Sequence, residues 1–222
     1  MTDFVMYDQQ DGIATLTMDD GKANAYGPSM ISALSEALQK AKSDAKVVLV
    51  KGRPGIFCAG FDLKIITQGD EARLDMVNRG ASLLLDLYLH PQPIVMACTG
   101  HALAAGAVLL LAADYRVGLK GDFKLGLNET TIGMTMPTFG IEMARDRLGS
   151  ENLTQAVLNA RLYNPEEAVA VHYLDEAVHQ DQYNSVIETK LEAMLSIATP
   201  AFAATKIGIR GSVAKTIRES LA

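Results

Sequence analysis

Ile94-Val95-Met96-Ala97-Cys98 is followed by the turn Thr99-Gly100-His101-Ala102-Leu103, by the apolar stretch Ala104–Ala113, and by Tyr115-Arg116-Val117-Gly118. The first run is short, apolar and preceded by Pro91-Gln92-Pro93, which suits a strand covered on both faces. The stretch 104–113 has no polar side, as expected of a helix buried all round. Strand, helix and strand at this pitch make a βαβ unit with parallel strands. Outward from it, Val47-Val48-Leu49-Val50, bracketed by Lys46 and Lys51, repeats the buried-strand pattern. Ile13-Ala14-Thr15-Leu16-Thr17-Met18 is rich in β-branched residues and stops at the turn signature Asp19-Asp20-Gly21. Pro28 to Lys42 places Met30, Leu34, Leu38 and Ala41 on one helical face. The last third reads as helical: Asn164-Pro165-Glu166-Glu167 has the residues of a helix start, and 181–198 and 200–221 follow as two further helical stretches. The class is therefore α/β with a C-terminal helical extension.

Composition narrows the function. The chain has 222 residues, 49% apolar and 21% charged, which is globular rather than disordered. Twenty basic against 26 acidic residues give a net charge of −6, which argues against nucleic acid as the main partner. The longest nearly apolar stretch, Ala102–Ala113, is 12 residues, against about 20 for a membrane span. With no basic-then-apolar leader at the N-terminus, the expectation is a soluble cytoplasmic protein. Cys58 and Cys98 are too few for a disulfide framework or a structural zinc site, and the four histidines are scattered, so no metal is expected. No G-x-G-x-x-G, P-loop, H-E-x-x-H or G-x-S-x-G occurs.

What remains is two glycine-containing loops and one carboxylate. Gly52 to Lys64 follows the Val47–Val50 strand, and Thr99 to Gly106 follows the Ile94–Cys98 strand. In an open α/β sheet ligands sit where loops leave the carboxyl ends of strands. Small residues there let two backbone N–H groups converge on one oxygen as an oxyanion hole; packing of helix on sheet accounts for the same residues equally well. Glu129 lies among apolar residues, where burial raises a carboxyl's pKa towards the range of a general base; a solvent-facing or capping glutamate is the ordinary alternative. Cys58 reads as a small buried apolar residue, and Asp62 as the cap of a helix beginning at Leu63.

Phe57-Cys58-Ala59-Gly60-Phe61-Asp62-Leu63-Lys64 resembles the F-x-A-G-x-D-L/I-K loop of the crotonase superfamily, the enoyl-CoA hydratase/isomerase family. Thr99 to Gly106, ending in Ala112-Ala113-Asp114, resembles the family's N-G-x-A-x-G-G-G segment. Gly126-Leu127-Asn128-Glu129 resembles its G-x-P-E, and Asp175-Glu176-Ala177-Val178 its V-D-E-V strand. The resemblance implies a crotonase-like spiral of ββα units over residues 1–198, with 199–222 as a shortened helical segment, assembled as a homotrimer or dimer of trimers. It implies an acyl-CoA thioester substrate, with no separate cofactor because CoA is part of that substrate. The Phe61 and Ala105 N–H groups would form the oxyanion hole and Glu129 would move the proton. Lys22, Ala23, Ala25, Ala59, Asp62, Leu63, Lys64 and Gly106 would contact substrate, with Lys64 and Lys206 offering positive charge to the CoA phosphates.

The departures from the family pattern point to a reaction. Hydratases place a second glutamate two residues after the last glycine of the G-G-G run, and here that position is Val108. One carboxylate suffices for Δ3,Δ2-enoyl-CoA isomerisation, which the Gly133-Met134-Thr135-Met136-Pro137 spacing also resembles. Hydration, or thioester hydrolysis, is the alternative within the family, and a non-catalytic acyl-CoA-binding module the alternative outside it. His172 stands where the family has glycine.

Overall fold

The computed structural model describes residues 4–221. Strands β1 (Val5–Gln10) and β2 (Ile13–Met18) form an antiparallel hairpin closed by Asp11-Gly12, both at positive φ, as a two-residue Asp-Gly turn requires. Helix α1 (Pro28–Asp44) then leads to β3 (Val47–Lys51), β4 (Gly55–Cys58), the single-turn α2 (Leu63–Ile66) and α3 (Asp70–Tyr88). The pattern repeats as β5 (Ile94–Cys98), β6 (Gly100–Leu103) and α4 (Ala105–Ala112), and again as β7 (Tyr115–Leu119), β8 (Leu125–Gly126) and α5 (Thr138–Leu148). Helix α6 (Pro165–Ala170), β9 (Glu176–Val178), α7 (Gln180–Leu195) and α8 (Thr199–Glu219) complete the chain.

Each repeat leaves its first strand in one sheet and its second in another. The large sheet has the order β1-β2-β3-β5-β7-β9, and the small one β4-β6-β8, parallel throughout. This is the spiral of ββα turns, and it refines the single-sheet reading: the glycine-containing loops do not leave β3 and β5 directly. A second short strand intervenes, so they leave the small sheet instead. Gly52, Gly55 and Gly100 hid those strands, because glycine carries little strand signal.

β3 and β5 read as continuous apolar runs because both faces of the large sheet are covered. Val48, Val50, Ile94 and Met96 join the main core beneath α1, α3 and α4. Val47, Leu49, Val95 and Ala97, alternating with them, pack with Tyr183, Ile187 and Leu191 of α7. Every residue of α4 is buried. Asn164 caps α6 in a capping box, its side chain accepting from the Glu167 N–H while Glu167 accepts from the Asn164 N–H. No helix among the described residues is long and apolar enough to cross a membrane.

α8 is fixed by charge as well as by packing. Lys206 Nζ lies 2.7 Å from Asp114 Oδ2 and also donates to the His90 and Gln92 carbonyls. Arg210 lies 3.1 Å from Asp114 Oδ1 and donates to the Tyr88 and Ala113 carbonyls. All three charged side chains are buried or nearly so. This corrects the expectation that Lys206 meets CoA phosphates. Its cation is spent at the C-terminal end of α4, one helix length, about 12 Å, from the loop that begins α4. His172 sits at φ 67, the left-handed conformation for which the family's glycine is suited, and its carbonyl accepts from Arg116.

Candidate active site

The three segments singled out in the sequence leave three adjacent strands of the small sheet at their carboxyl ends. β4 runs into Ala59-Gly60-Phe61, β6 into Ala104-Ala105, and β8 into Leu127-Asn128-Glu129. Register holds them side by side: Cys58 pairs with Ala102, Leu103 with Gly126, and the Ala104 N–H donates to the Gly126 carbonyl at 2.9 Å. The central strand therefore places the start of α4 between the other two loops.

Two amides at this edge lack partners. Neither the Phe61 nor the Ala105 N–H donates to an acceptor among the described residues. Ala105 opens α4, where an N–H has no intrahelical partner. Ala104 before it sits at φ 50, ψ −125, a strained conformation for a residue with a Cβ, costing on the order of 1–3 kcal/mol. Gly60, at φ 96, lets the two loops approach. A methyl on it would lie 2.8 Å from the Ala104 Cβ and 3.5 Å from the Ala105 nitrogen. The Phe61 ring packs tilted at 5.4 Å from Tyr26 and edge-on at 6.3 Å from Phe139 of α5, anchoring its own backbone.

Glu129 is 6% exposed, and its Oε2 is sealed from solvent without a hydrogen-bond partner. Burial raises its pKa from 4.5 to about 7, partly offset by its own backbone amide. Its carbonyl accepts from the Ile132 and Met134 N–H groups, which fixes it at the head of a tight 3₁₀ turn closed by Gly133. Val108, one turn into α4, is fully buried beside Met136 and Gly140, so an apolar wall stands where a second carboxylate would be. A cleft of about 560 Å³ opens next to Met134, lined by Arg73, Leu74 and Val77 of α3 and by Met134, Thr135 and Pro137.

The other expected contact residues fall into two groups. Ala23 and Ala25 are brought against the Phe61 loop, because the Ala59 N–H donates to Ala23 and the Tyr26 N–H to Gly60. Lys22 is exposed beside them, and Leu63 and Lys64 are exposed on α2. Asp62 caps α2, accepting from the Lys64 N–H at 3.0 Å, in line with its reading as a cap. Gly106 faces inward: a methyl on it would lie 2.1 Å from the Cys58 carbonyl oxygen. Gly106→Ala therefore pushes α4 away from β4, and about 1–3 kcal/mol of stability should be lost with most of the activity, measurable by denaturant titration and turnover. Burial pushes the Cys58 thiol up to about 12, which leaves it inert at neutral pH.

The resemblance sets Asn24 within the 22–25 stretch that lines the CoA channel, without the structural role it has here, and gives Arg53 no role. Asn24, fully buried at φ 49, donates to the Met18 and Phe57 carbonyls and rivets the 22–26 loop to the ends of β2 and β4. An asparagine between two alanines after a Gly-Lys turn was the available signal, since asparagine tolerates the left-handed region best among residues with a Cβ. Arg53 donates to the Lys22 carbonyl at 2.8 Å and lies 3.4 Å from Asp19, which adds a cation to the rim beside Lys22. Asp20 orders the same loop. Burial raises its pKa, but hydrogen bonds from the Asn24, Lys22 and Ala25 amides outweigh that and hold it below the usual carboxylate range.

A family model described as enoyl-CoA hydratase/isomerase matches residues 8–220. The chain belongs to the enoyl-CoA hydratase/isomerase family. An enoyl-CoA hydratase/isomerase family protein from Pseudomonas syringae is 41% identical over 99% of this chain and 96% of its own, with a TM-score of 0.97. A Mycobacterium tuberculosis protein, described in one structure as an enoyl-CoA isomerase and in another as a probable enoyl-CoA hydratase, is 37% identical with a TM-score of 0.94; in the first, the match covers 100% of this chain and 97% of that one. Mouse mitochondrial enoyl-CoA delta isomerase 1 is 28% identical over 93% of this chain and 73% of its own length. The crotonase fold, and enzymatic activity of the family's kind, follow from this membership.

Proposed function

We propose that this family member is a Δ3,Δ2-enoyl-CoA isomerase with Glu129 as its one acid/base. The thioester oxygen accepts from the Phe61 and Ala105 N–H groups. Glu129 takes a proton from the α-carbon, and the resulting dienolate spreads its charge over the thioester oxygen and the α- and γ-carbons. The same carboxyl returns the proton at the γ-carbon, moving the double bond into conjugation without any net change in composition. The amides carry the larger share of the barrier, since one such donor is worth about 2.7–4 kcal/mol in comparable enzymes. The acyl chain passes Met134 into the cleft against α3, and Lys22, Arg53 and Lys64 stand nearest the CoA phosphates.

The observation that carries this reading is the one buried, unpartnered carboxylate at this edge, Glu129, which burial raises to a pKa of about 7, while the position of a second glutamate on α4 is the buried Val108. Holding and splitting water across a double bond calls for a second carboxylate, and α4 supplies none. Ultraviolet absorbance of the conjugated thioester tests it directly. Purified protein should raise absorbance with a 3-enoyl-CoA and leave a 2-enoyl-CoA unchanged. Rapid loss of absorbance with the 2-enoyl-CoA would mean hydration and overturn the assignment. The same assay should show kcat/KM rising tenfold per pH unit to a plateau above about 7, because Glu129 must be ionised to act as base.

A further inference from the structure

The cleft beside Met134 has one wall whose chemistry changes along its length. Asp70, Arg73, Leu74 and Val77 all line it, and their spacing of i, i+3, i+4 and i+7 puts them on one stripe of α3. Met134, Thr135 and Pro137 form the other wall. Both walls run back to the reacting groups. Gly80, three residues beyond Val77, lies against Phe61: a methyl on it would be 2.8 Å from the Phe61 ring. The Met134 N–H donates to the Glu129 carbonyl at 2.9 Å. The inner end of the cleft is therefore the edge that holds the Phe61 amide and Glu129, and its outer end is the first turn of α3.

Going outward, the stripe is first apolar and then charged. Val77 is half-buried, and Leu74 keeps 60% of its surface exposed to the cleft and solvent. Ile132, next to Gly133 on the other side, is 49% exposed. Large apolar side chains left bare on both sides of one cleft suit an apolar ligand. At the outer end the Arg73 guanidinium is drawn to Asp70 at 2.8 Å, in an ion pair open to water. A chain passing that point buries nothing more. From Val77 to Asp70 the helix rises about 10 Å, which an alkyl chain of ~1.5 Å bonds spans in about eight carbons. With the thioester carbon and the reacting carbons held at the inner end, the limit falls near twelve carbons. We infer that this cleft is a ruler for aliphatic acyl chains, with Leu74 and Val77 as specificity-determining residues and the Arg73–Asp70 ion pair as its outer limit. The inference deepens the isomerase reading and rests on it for where the thioester sits. A methylene laid in so open a cleft is about half buried, so each should strengthen binding about twofold, against about fourfold for full burial.

The test uses saturated acyl-CoAs, which cannot isomerise, from butanoyl- to hexadecanoyl-CoA, each below its micellar concentration, with dissociation constants taken by calorimetry. Affinity should rise about twofold per carbon and level off near dodecanoyl-CoA. Leu74→Asn should flatten the rise, because it puts an amide in the apolar part of the stripe. Arg73→Leu should carry the rise past dodecanoyl-CoA, because it continues the apolar part outward. Isomerisation of 3-enoyl-CoAs of matching lengths should follow the same series, with the change in KM rather than in kcat. Affinity that does not depend on length, a rise unbroken to hexadecanoyl-CoA in the wild type, or a limit that stays in place in Arg73→Leu overturns the inference. If no 3-enoyl-CoA is isomerised, the isomerase reading falls, while the binding series still decides the role of the cleft.

Discussion

Glu129→Gln is expected to lose at least about two decades of isomerase turnover while making the protein more stable above neutral pH. The first effect follows from removing the only base at the site, since general acid–base catalysis is worth about 10²–10⁴-fold. The second follows from the same burial. The folded carboxyl holds its proton up to about pH 7, whereas an exposed one gives it up near 4.5. Between these values the native state binds more protons than the unfolded one, so wild-type stability falls as pH rises through that window. By pH 8 the loss is complete and amounts to about 3 kcal/mol at 1.36 kcal/mol per unit. Glutamine has no charge to bury, so the variant's stability stays flat there. Denaturant titrations at pH 5 and pH 8 should show the two proteins similar at the lower pH and the variant clearly ahead at the higher. Equal stability at both would mean that Glu129 is solvated, and the catalytic reading would fall with it. An amide without activity but with full binding of an acyl-CoA would meanwhile exclude a non-catalytic binding module as the wild type's role.

Asp114→Ala is expected to cost about 3–5 kcal/mol, because it strands two buried cations. Burial already lowers the Lys206 pKa to about 8 against the pull of Asp114, so without that carboxylate the amine is left with carbonyl acceptors alone. Asp114 also accepts from the Ile94 N–H at 2.7 Å, so the first residue of β5 loses a partner as well. Thermal unfolding at neutral pH should fall by roughly 10 °C for a chain of this size. Adding Lys206→Met to Asp114→Ala should recover part of the loss, since an apolar side chain needs no counter-charge. A recovery from the second substitution distinguishes stranded charge from simple loss of packing. An unchanged melting temperature in Asp114→Ala would show that α8 is held by packing alone.

These two sites differ in how far the sequence announced them. Glu129, Phe61 and Ala105 stood out because loop motifs of fixed spacing surrounded them. Asp114, Lys206 and Arg210 are separated by about ninety residues, and a lysine or arginine in a helix is ordinarily solvated. The family resemblance accordingly offers Lys206 to the CoA phosphates. Only the docking of α8 against α5 and α3 turns it inward.

The chain's own order of residues determined what was periodic or short-ranged. The apolar runs of β3 and β5, the buried helix α4, the amphipathic α1 and the capped start of α6 are each written in a few consecutive side chains. So are the small residues of the two loops and the single carboxylate with Val108 in place of a second. The tertiary structure decided what depends on pairing between distant strands. The strands of the small sheet run only two to four residues, three of them with glycine, and such segments have no strand preference until a neighbour supplies hydrogen bonds. Once β4, β6 and β8 lie in register, the two unpartnered amides and the sealed carboxyl come to one edge. That convergence is a property of the ladder, because hydrogen bonds between strands, unlike side-chain periodicity, leave almost no local trace in composition.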